Sequence, residues 1–497
     1  MKFSPSSLMI QGTTSDAGKT TLVAGLCRLL KRRGYDVAPF KPQNMALNSA
    51  VTPCGGEVSR ATAMQAWAGG IAPHPDMNPV LIKPNSDMQA QIIIQGQAQV
   101  NLGQISSKSY YQLTMPKVLQ SFERLCQKHQ TVIVEGAGSP AEINLRTYDI
   151  ANMGFAENAD VDVVIVADID KGGVFAHLYG TLALLSKSEQ SRVKGFIINR
   201  FRGDLALLQS GLDWLEQTTG KPVLGVLPYL HNLNLEAEDS LDSRNLVDGN
   251  AKIKITVPVL PRMSNHTDFD ALRLHPEIDF RFCYQWDTLA GSDIIILPGS
   301  KSVHSDLAFL REQGWEQEIA THLRYQGKLI GICGGFQMLG ETLEDPYGVE
   351  GQSKSIQGLG YLPLKTQLAQ QKTLSQVQTH LNLNQDSPVM VKGYEIHSGI
   401  TQLTLTDEYL TSANLFDYLS SDNQVYGTYL HGIFDTKDAI SHICQWAGVE
   451  VARFDKHAVQ EESINRLADM LEAHLDITTL FNLLGLDDDK QDKPISN

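Results

Sequence analysis

Cys333 sits in the run KLIGICGGFQMLG (residues 328–340), where an apolar stretch meets two glycines and then helical spacing. A strand that turns sharply into a helix at a nucleophile puts that side chain on an exposed elbow. There the helix amides favour the thiolate over the thiol, and the amide of Gly334 can donate to a tetrahedral oxyanion. Gly299, in DIIILPGSKS, ends another expected strand and is assigned as the second oxyanion donor. A cysteine nucleophile needs a base that later protonates the leaving group. His431, closing the run YGTYLHG, is assigned that role, with His397 in KGYEIHSG as a contender. The chemistry implied is acyl transfer through a thioester.

A second constellation lies near the start of the chain, where an apolar run leads into GTTSDAGKT (residues 12–20) and then a helical stretch. Glycine-rich backbone between a strand and a helix N-terminus wraps phosphate oxygens. Gly12, Thr13, Thr14, Asp16, Gly18, Lys19, Thr20 and Thr21 are assigned to ATP, with Lys19 neutralising the β/γ-phosphates and Thr20 joining a Mg²⁺ shell. The glycines are one residue further apart than in the usual G-x4-G-K-[ST] spacing. Lys41, just past an expected strand at 37–40, can reach the transferring phosphoryl group. Glu135, ending the apolar run 131–135 beside a glycine turn, is the second candidate Mg²⁺ ligand. No tightly bound organic cofactor is expected.

These residues must be held by two successive α/β domains. Continuous apolar runs at 7–11, 37–40, 131–135, 162–167, 194–199 and 222–227 alternate with helix-length segments, which indicates a parallel sheet covered on both faces. A polar, acidic stretch follows, and a second series then runs through 253–260, 278–283, 293–297 and 328–332, with strands also expected near 391–395 and 425–430. The expected division is 1–232 for ATP binding, 233–251 as linker, 252–440 for the cysteine site, and 441–497 as a helical extension ending in a frayed acidic tail.

The 497 residues, 42% hydrophobic and 20% charged, suit a globular protein of more than one domain. A net charge of -15 argues against nucleic-acid binding. No apolar run reaches the length of a membrane span, and the N-terminus lacks a signal-peptide pattern, so the expected compartment is the cytoplasm. Six scattered cysteines without a CxxC pair speak against a disulfide framework or a zinc ribbon.

The phosphate loop resembles the variant of dethiobiotin synthetase and its relatives. Thr13 stands where partitioning ATPases of that class carry a signature lysine, which favours a ligase over a mechanical switch with a degenerate appendage. Residues 252–440 resemble the class I glutamine amidotransferase domain. Members usually place Glu two residues after the histidine, where this chain has Ile433, so the orienting role is either absent or filled from elsewhere, with Glu395 as a candidate.

The whole chain resembles the cobyric acid synthase family, through MIQGTTSDAGKT, KPQNMALNS, KPNSDMQAQIIIQG, VEGAGSPAEINL, ADIDKGGVFAHLYGT, INRFRGD, LPGSKS, GICGGFQMLG, KGYEIHSG and YLHGIF. The a,c-diamide synthases, the nearest sibling family, differ in carrying an Asp-rich segment where this chain has KPQNM. The resemblance implies glutamine, ATP and a corrinoid polycarboxylate as partners, with four side-chain carboxylates amidated. A homo-oligomer is compatible with it. Asp149, Asp168, Asp170, Arg200 and Arg202, near expected strand ends, are the candidates for the acceptor site.

Overall fold

The computed structural model describes residues 6–84, 90–101, 106–236, 249, 251–351, 354–383, 388–404 and 415–487. Most of the expected linker, the middle of KPNSDMQAQIIIQG and the acidic tail lie outside the described residues.

The first half is built on a six-stranded, all-parallel sheet in the order Val223–Pro228, Val193–Phe201, Asp162–Asp168, Ser6–Gly12, Thr131–Glu135, Val37–Phe40. Its strands read as unbroken apolar runs because helices cover both faces, and Leu8, Ile133 and Val164 are fully buried. Strand order reverses around Ser6–Gly12, so its C-terminal end opens into the crevice where such sheets take ligands. Gly12 and Glu135 both lie there.

The second half carries another six-stranded sheet: Ile278–Cys283, Ile253–Pro258, Ile294–Leu297, Lys328–Ile332, Val425–Thr428, Asp417–Leu419. The last strand is antiparallel to its neighbour, and the other pairings are parallel. Lys328–Ile332 and Val425–Thr428 are adjacent and in register, Ile332 opposite Thr428. Cys333 and His431 therefore leave the same sheet edge side by side.

Three features depart from the sequence reading. Residues 391–395 do not join the strand at 425–428. They belong to Val389–Leu403, which forms a long hairpin with Leu364–Leu381, and they meet the end of the other segment at a bridge between Tyr394 and His431. Leu364–Leu381 (LKTQLAQQKTLSQVQTHL) is not legible as a strand because its half-buried middle is glutamine-rich and lacks an apolar run. A small sheet of Gln43–Met45, Val80–Pro84, Ala90–Ile94 and Gln97–Asn101 is likewise inserted in the first half.

The C-terminal helix Lys456–His474 returns to the first half rather than extending the second. It packs Leu467 and Leu471 against Leu22 and Leu26 of helix Lys19–Arg32, with Arg28–Glu461 at 3.0 Å and Arg32–Asp469 at 2.6 Å along the seam. Among the described residues no helix is long and apolar enough to cross a membrane.

Candidate active site

Helix Lys19–Arg32 starts at Gly18, whose φ of 93° is open to glycine at little steric cost. The Lys19 ammonium folds back over the loop to the carbonyls of Thr14 (2.9 Å), Ser15 (3.1 Å) and Gly138 (3.1 Å). A side chain at Gly12 would put its Cβ 2.9 Å from that ammonium, so the loop closes on Lys19 only over a glycine.

Glu135 is buried and receives three groups: Thr20 Oγ1 at 2.7 Å, Lys41 Nζ at 3.0 Å and Gln65 Nε2 at 2.5 Å. Lys41 is thus no surface lysine. A hydroxyl and a carboxylate within hydrogen-bond reach beside the phosphate loop are hard oxygen donors, the set that suits Mg²⁺ completed by water and phosphate. No group of three or more His, Cys, Asp or Glu is arranged as a metal site among the described residues. Asp16 meets Lys171 at 3.2 Å on the surface.

The acceptor candidates separate. Asp149 accepts from the amides of Ala151, Asn152 and Gly154 at 2.8–2.9 Å, so it braces its own turn while lining a cavity beside Gly138. Asp168 pairs with Arg200 at 2.7 Å and Asp170 with Arg202 at 2.8 Å. Arg200 lines a different hollow, with Gly18, Asn199 and Tyr229 and with Leu467 and Met470 of the returning helix. The five residues therefore do not converge on one site.

At the other sheet edge Cys333 adopts φ 52°, ψ -105°. A non-glycine residue held there stores about 1–3 kcal/mol of strain. Its amide donates to the carbonyl of Thr428 at 2.8 Å, pinning the elbow to the next strand. A Cβ on Gly334 would fall 2.7 Å from the backbone nitrogen of Ser300, so the absent side chain lets the two loops approach. Gly299 lies against the His431 ring.

His431 is fully buried, and its Nδ1 is 2.7 Å from Asp268 Oδ2. The other Asp268 oxygen accepts from the Gly432 amide at 3.1 Å. Burial opposes a charge on the ring, but Asp268 and then Cys333 outweigh it and push the His431 pKa up to about 10. That shift favours the imidazolium at neutral pH, a form able to donate a proton. The carboxylate that contacts the His431 ring is Asp268, not the candidate Glu395. Glu395 instead meets His397 at 3.2 Å and Ser375 at 2.6 Å, in a partnership of its own. Asp268 was missed because HTDFDAL reads locally as the acidic start of a short helix.

Two family models divide the chain between these sites. Residues 8–241 match the CobQ/CobB/MinD/ParA nucleotide binding domain, and residues 254–439 match the CobB/CobQ-like glutamine amidotransferase domain. Along its whole length the chain is 57% identical over 487 residues to a cobyric acid synthase of Aliivibrio fischeri, covering 97% of this chain and 98% of that one. A cobyric acid synthase of Vibrio vulnificus is 57% identical over 485 residues (97% and 100% covered), and one of Photobacterium profundum 56% over 483 (97% and 98%). The chain belongs to the cobyric acid synthase family. It is an ATP-using, glutamine-dependent amidoligase, with both domains on one chain.

In this member of the family the two halves touch beside His431. The Ser49 amide donates to Asn265 Oδ1 at 2.9 Å, and the Tyr394 hydroxyl donates to the Ser49 carbonyl at 2.9 Å. The Tyr394 ring stacks on His431 with centroids 5.3 Å apart. Ser49 closes the segment that begins at Lys41, so one stretch of backbone runs from Glu135 to the neighbours of His431. Behind it, Arg60 and Lys456 share Glu236 at 2.8 and 3.3 Å. The degenerate-appendage reading does not fit a strained cysteine beside a carboxylate-paired imidazolium.

Glu135→Gln keeps the shape of its site but removes the charge facing Lys41. A drop of about 10–100-fold in ATP-dependent amidation is expected, equal for glutamine and ammonium as nitrogen source. Parallel steady-state assays with the two donors check it.

Proposed function

We propose that this protein amidates the b, d, e and g carboxylates of adenosylcobyrinic acid a,c-diamide to give adenosylcobyric acid in the cytoplasm, using one ATP and one glutamine for each. The observation that carries the reading is a phosphate loop and a Cys333–His431–Asp268 array in one chain of this family, joined through the segment from Lys41 to Ser49.

A carboxylate is a poor electrophile at neutral pH. Transfer of the γ-phosphoryl group to a substrate oxygen, with ADP leaving, turns it into an acyl phosphate. Lys19 and Lys41 offset the developing charge, and Thr20 and Glu135 would hold Mg²⁺, which screens the phosphates when bound. At the other site the Cys333 thiolate attacks the glutamine side-chain carbonyl. The amides of Gly334 and the short strand Gly299–Ser300 take up the oxyanion, and His431 protonates the leaving nitrogen, which departs as ammonia. Water then cleaves the thioester to glutamate. Ammonia adds to the acyl phosphate, and phosphate departs with the amide formed. A shielded path suits this chemistry, because ammonia released to water would be protonated.

Incubation with glutamine, MgATP and candidate corrinoid acids, followed by mass analysis, tests the assignment. A gain of four amides on the a,c-diamide is expected, whereas activity confined to the fully acidic corrinoid would refute it.

The contact at Ser49 also supports coupling of the sites, with glutamine hydrolysis faster when ATP and acceptor are bound. Tyr394→Phe removes the hydroxyl that reaches Ser49 and keeps the ring over His431. Coupling energies of this kind span about 5–150-fold. Stimulation of glutaminase by ATP and acceptor is expected to shrink severalfold in Tyr394→Phe, read as glutamate released with and without those ligands.

A further inference from the structure

The pocket over Cys333 carries more positive charge than amide hydrolysis by a cysteine array requires. Lys301, Lys372 and Lys83 all line it. Lys301 follows Ser300 in the loop that faces Gly334. Lys372 comes from the long hairpin at an irregularity, where Leu368 and Thr373 on one strand oppose Gly399 and His397 on the other. Bulges of this kind re-aim side chains beside active sites. Lys83 belongs to the nucleotide-binding half, at the end of its small inserted sheet.

Two carboxylates face these ammonium groups. Glu57 is shared, with one oxygen 2.5 Å from Lys83 and the other 3.1 Å from Lys372. Glu350 is occupied by the amides of Val303 (2.9 Å) and His304 (3.0 Å) and by His304 Nδ1 (2.9 Å). Lys301 faces Lys372 and Lys83 as well as Glu57 and Cys333; burial, then the two lysines, outweigh the negative groups and hold its pKa well below the ordinary lysine range. A partly buried cluster with surplus positive charge is costly by itself and becomes favourable when an anion completes it.

The substrate proposed for Cys333 brings such an anion. Glutamine presents its side-chain amide to the thiol and carries its α-carboxylate a few bonds away. We propose that Lys301 and Lys372 bind the α-carboxylate of glutamine, and that Lys83 and Glu57 of the nucleotide-binding half complete this subsite by fixing Lys372. The inference rests on Cys333 being the glutaminase nucleophile. Recognition of glutamine then requires both halves of the chain, and an amide lacking the adjacent carboxylate is a poor nitrogen donor.

The experiment uses the full chain with MgATP and corrinoid acceptor, and compares glutamine with its α-amide, which keeps the side-chain amide and lacks the carboxylate. The unmodified protein should prefer glutamine by about tenfold or more in kcat/KM, and Lys301→Met should raise the glutamine KM by a similar factor while moving the KM for the α-amide by less than about twofold. Lys301→Arg, which keeps the charge, should retain most of the preference and serves where the Met variant does not fold. Equal use of the two donors by the unmodified protein, or an undiminished preference in Lys301→Met, overturns the proposal. Failure of the glutaminase reading is separately visible, since Cys333→Ser would then still consume glutamine.

Discussion

Cys333→Ser is expected to abolish glutamine-driven amidation, by on the order of 10³-fold or more, while ammonium-driven amidation persists. The loss is large because the hydroxyl keeps its proton far above neutral pH, whereas the thiol of Cys333 faces an imidazolium already supplied by His431 and Asp268. Little structural disturbance is expected, since serine fits the same volume. The strained φ of 52° is set by the Thr428 carbonyl and the glycines that follow, not by the sulfur. Ammonium-driven synthesis needs only the phosphate loop and acceptor, which lie on the other sheet. Parallel assays with glutamine and ammonium chloride, counting amides by mass, check the split. Loss of both activities would show that the sites cannot work apart.

Asp268→Asn should reduce glutaminase by about 10³–10⁴-fold, the magnitude typical of losing the carboxylate that orients a catalytic imidazole. The isostere preserves the acceptor for the Gly432 amide, which sits 3.1 Å from Asp268 Oδ1. It removes the charge and lets an amide nitrogen face His431 Nδ1, favouring the wrong tautomer. The sign of the pH effect follows from the cause of the shift. Asp268 raises the His431 pKa to about 10, so glutaminase should hold across neutral pH and fall only as pH approaches that value. Without Asp268 burial prevails and the imidazolium loses its proton at lower pH, so the alkaline limb should move toward acid. A pH–kcat profile of both proteins measures this. Asp268→Ala is the harsher change, because opening a buried charged pair costs about 3–5 kcal/mol and leaves the Gly432 amide unpaired.

The elements that the sequence declared most clearly are those whose chemistry is local. A phosphate loop is a strand, a glycine run and a helix start within one short stretch. The Cys333 elbow has the same compactness, and the apolar runs of the parallel strands in both sheets are legible because both faces are covered. Lys41 and Glu135 were readable as candidates from strand ends, but their buried pairing, with Thr20 also on Glu135, was not. Leu364–Leu381 was illegible for the converse reason, since its polar, glutamine-rich middle carries no apolar signature.

Read in order along the chain, the residues pointed to two chemistries, a thiol nucleophile and a phosphate site, and carried the family likeness that joins them. Tertiary structure alone decided who assists them. Asp268 reaches His431, Ser49 reaches Asn265, and Lys83 reaches the Cys333 pocket across long stretches of chain. Such pairings depend on how sheets and domains pack, and no spacing rule along the chain encodes them. The returning helix Lys456–His474 makes the same point, because a helical pattern shows which face is apolar but not which half of the molecule will bury it.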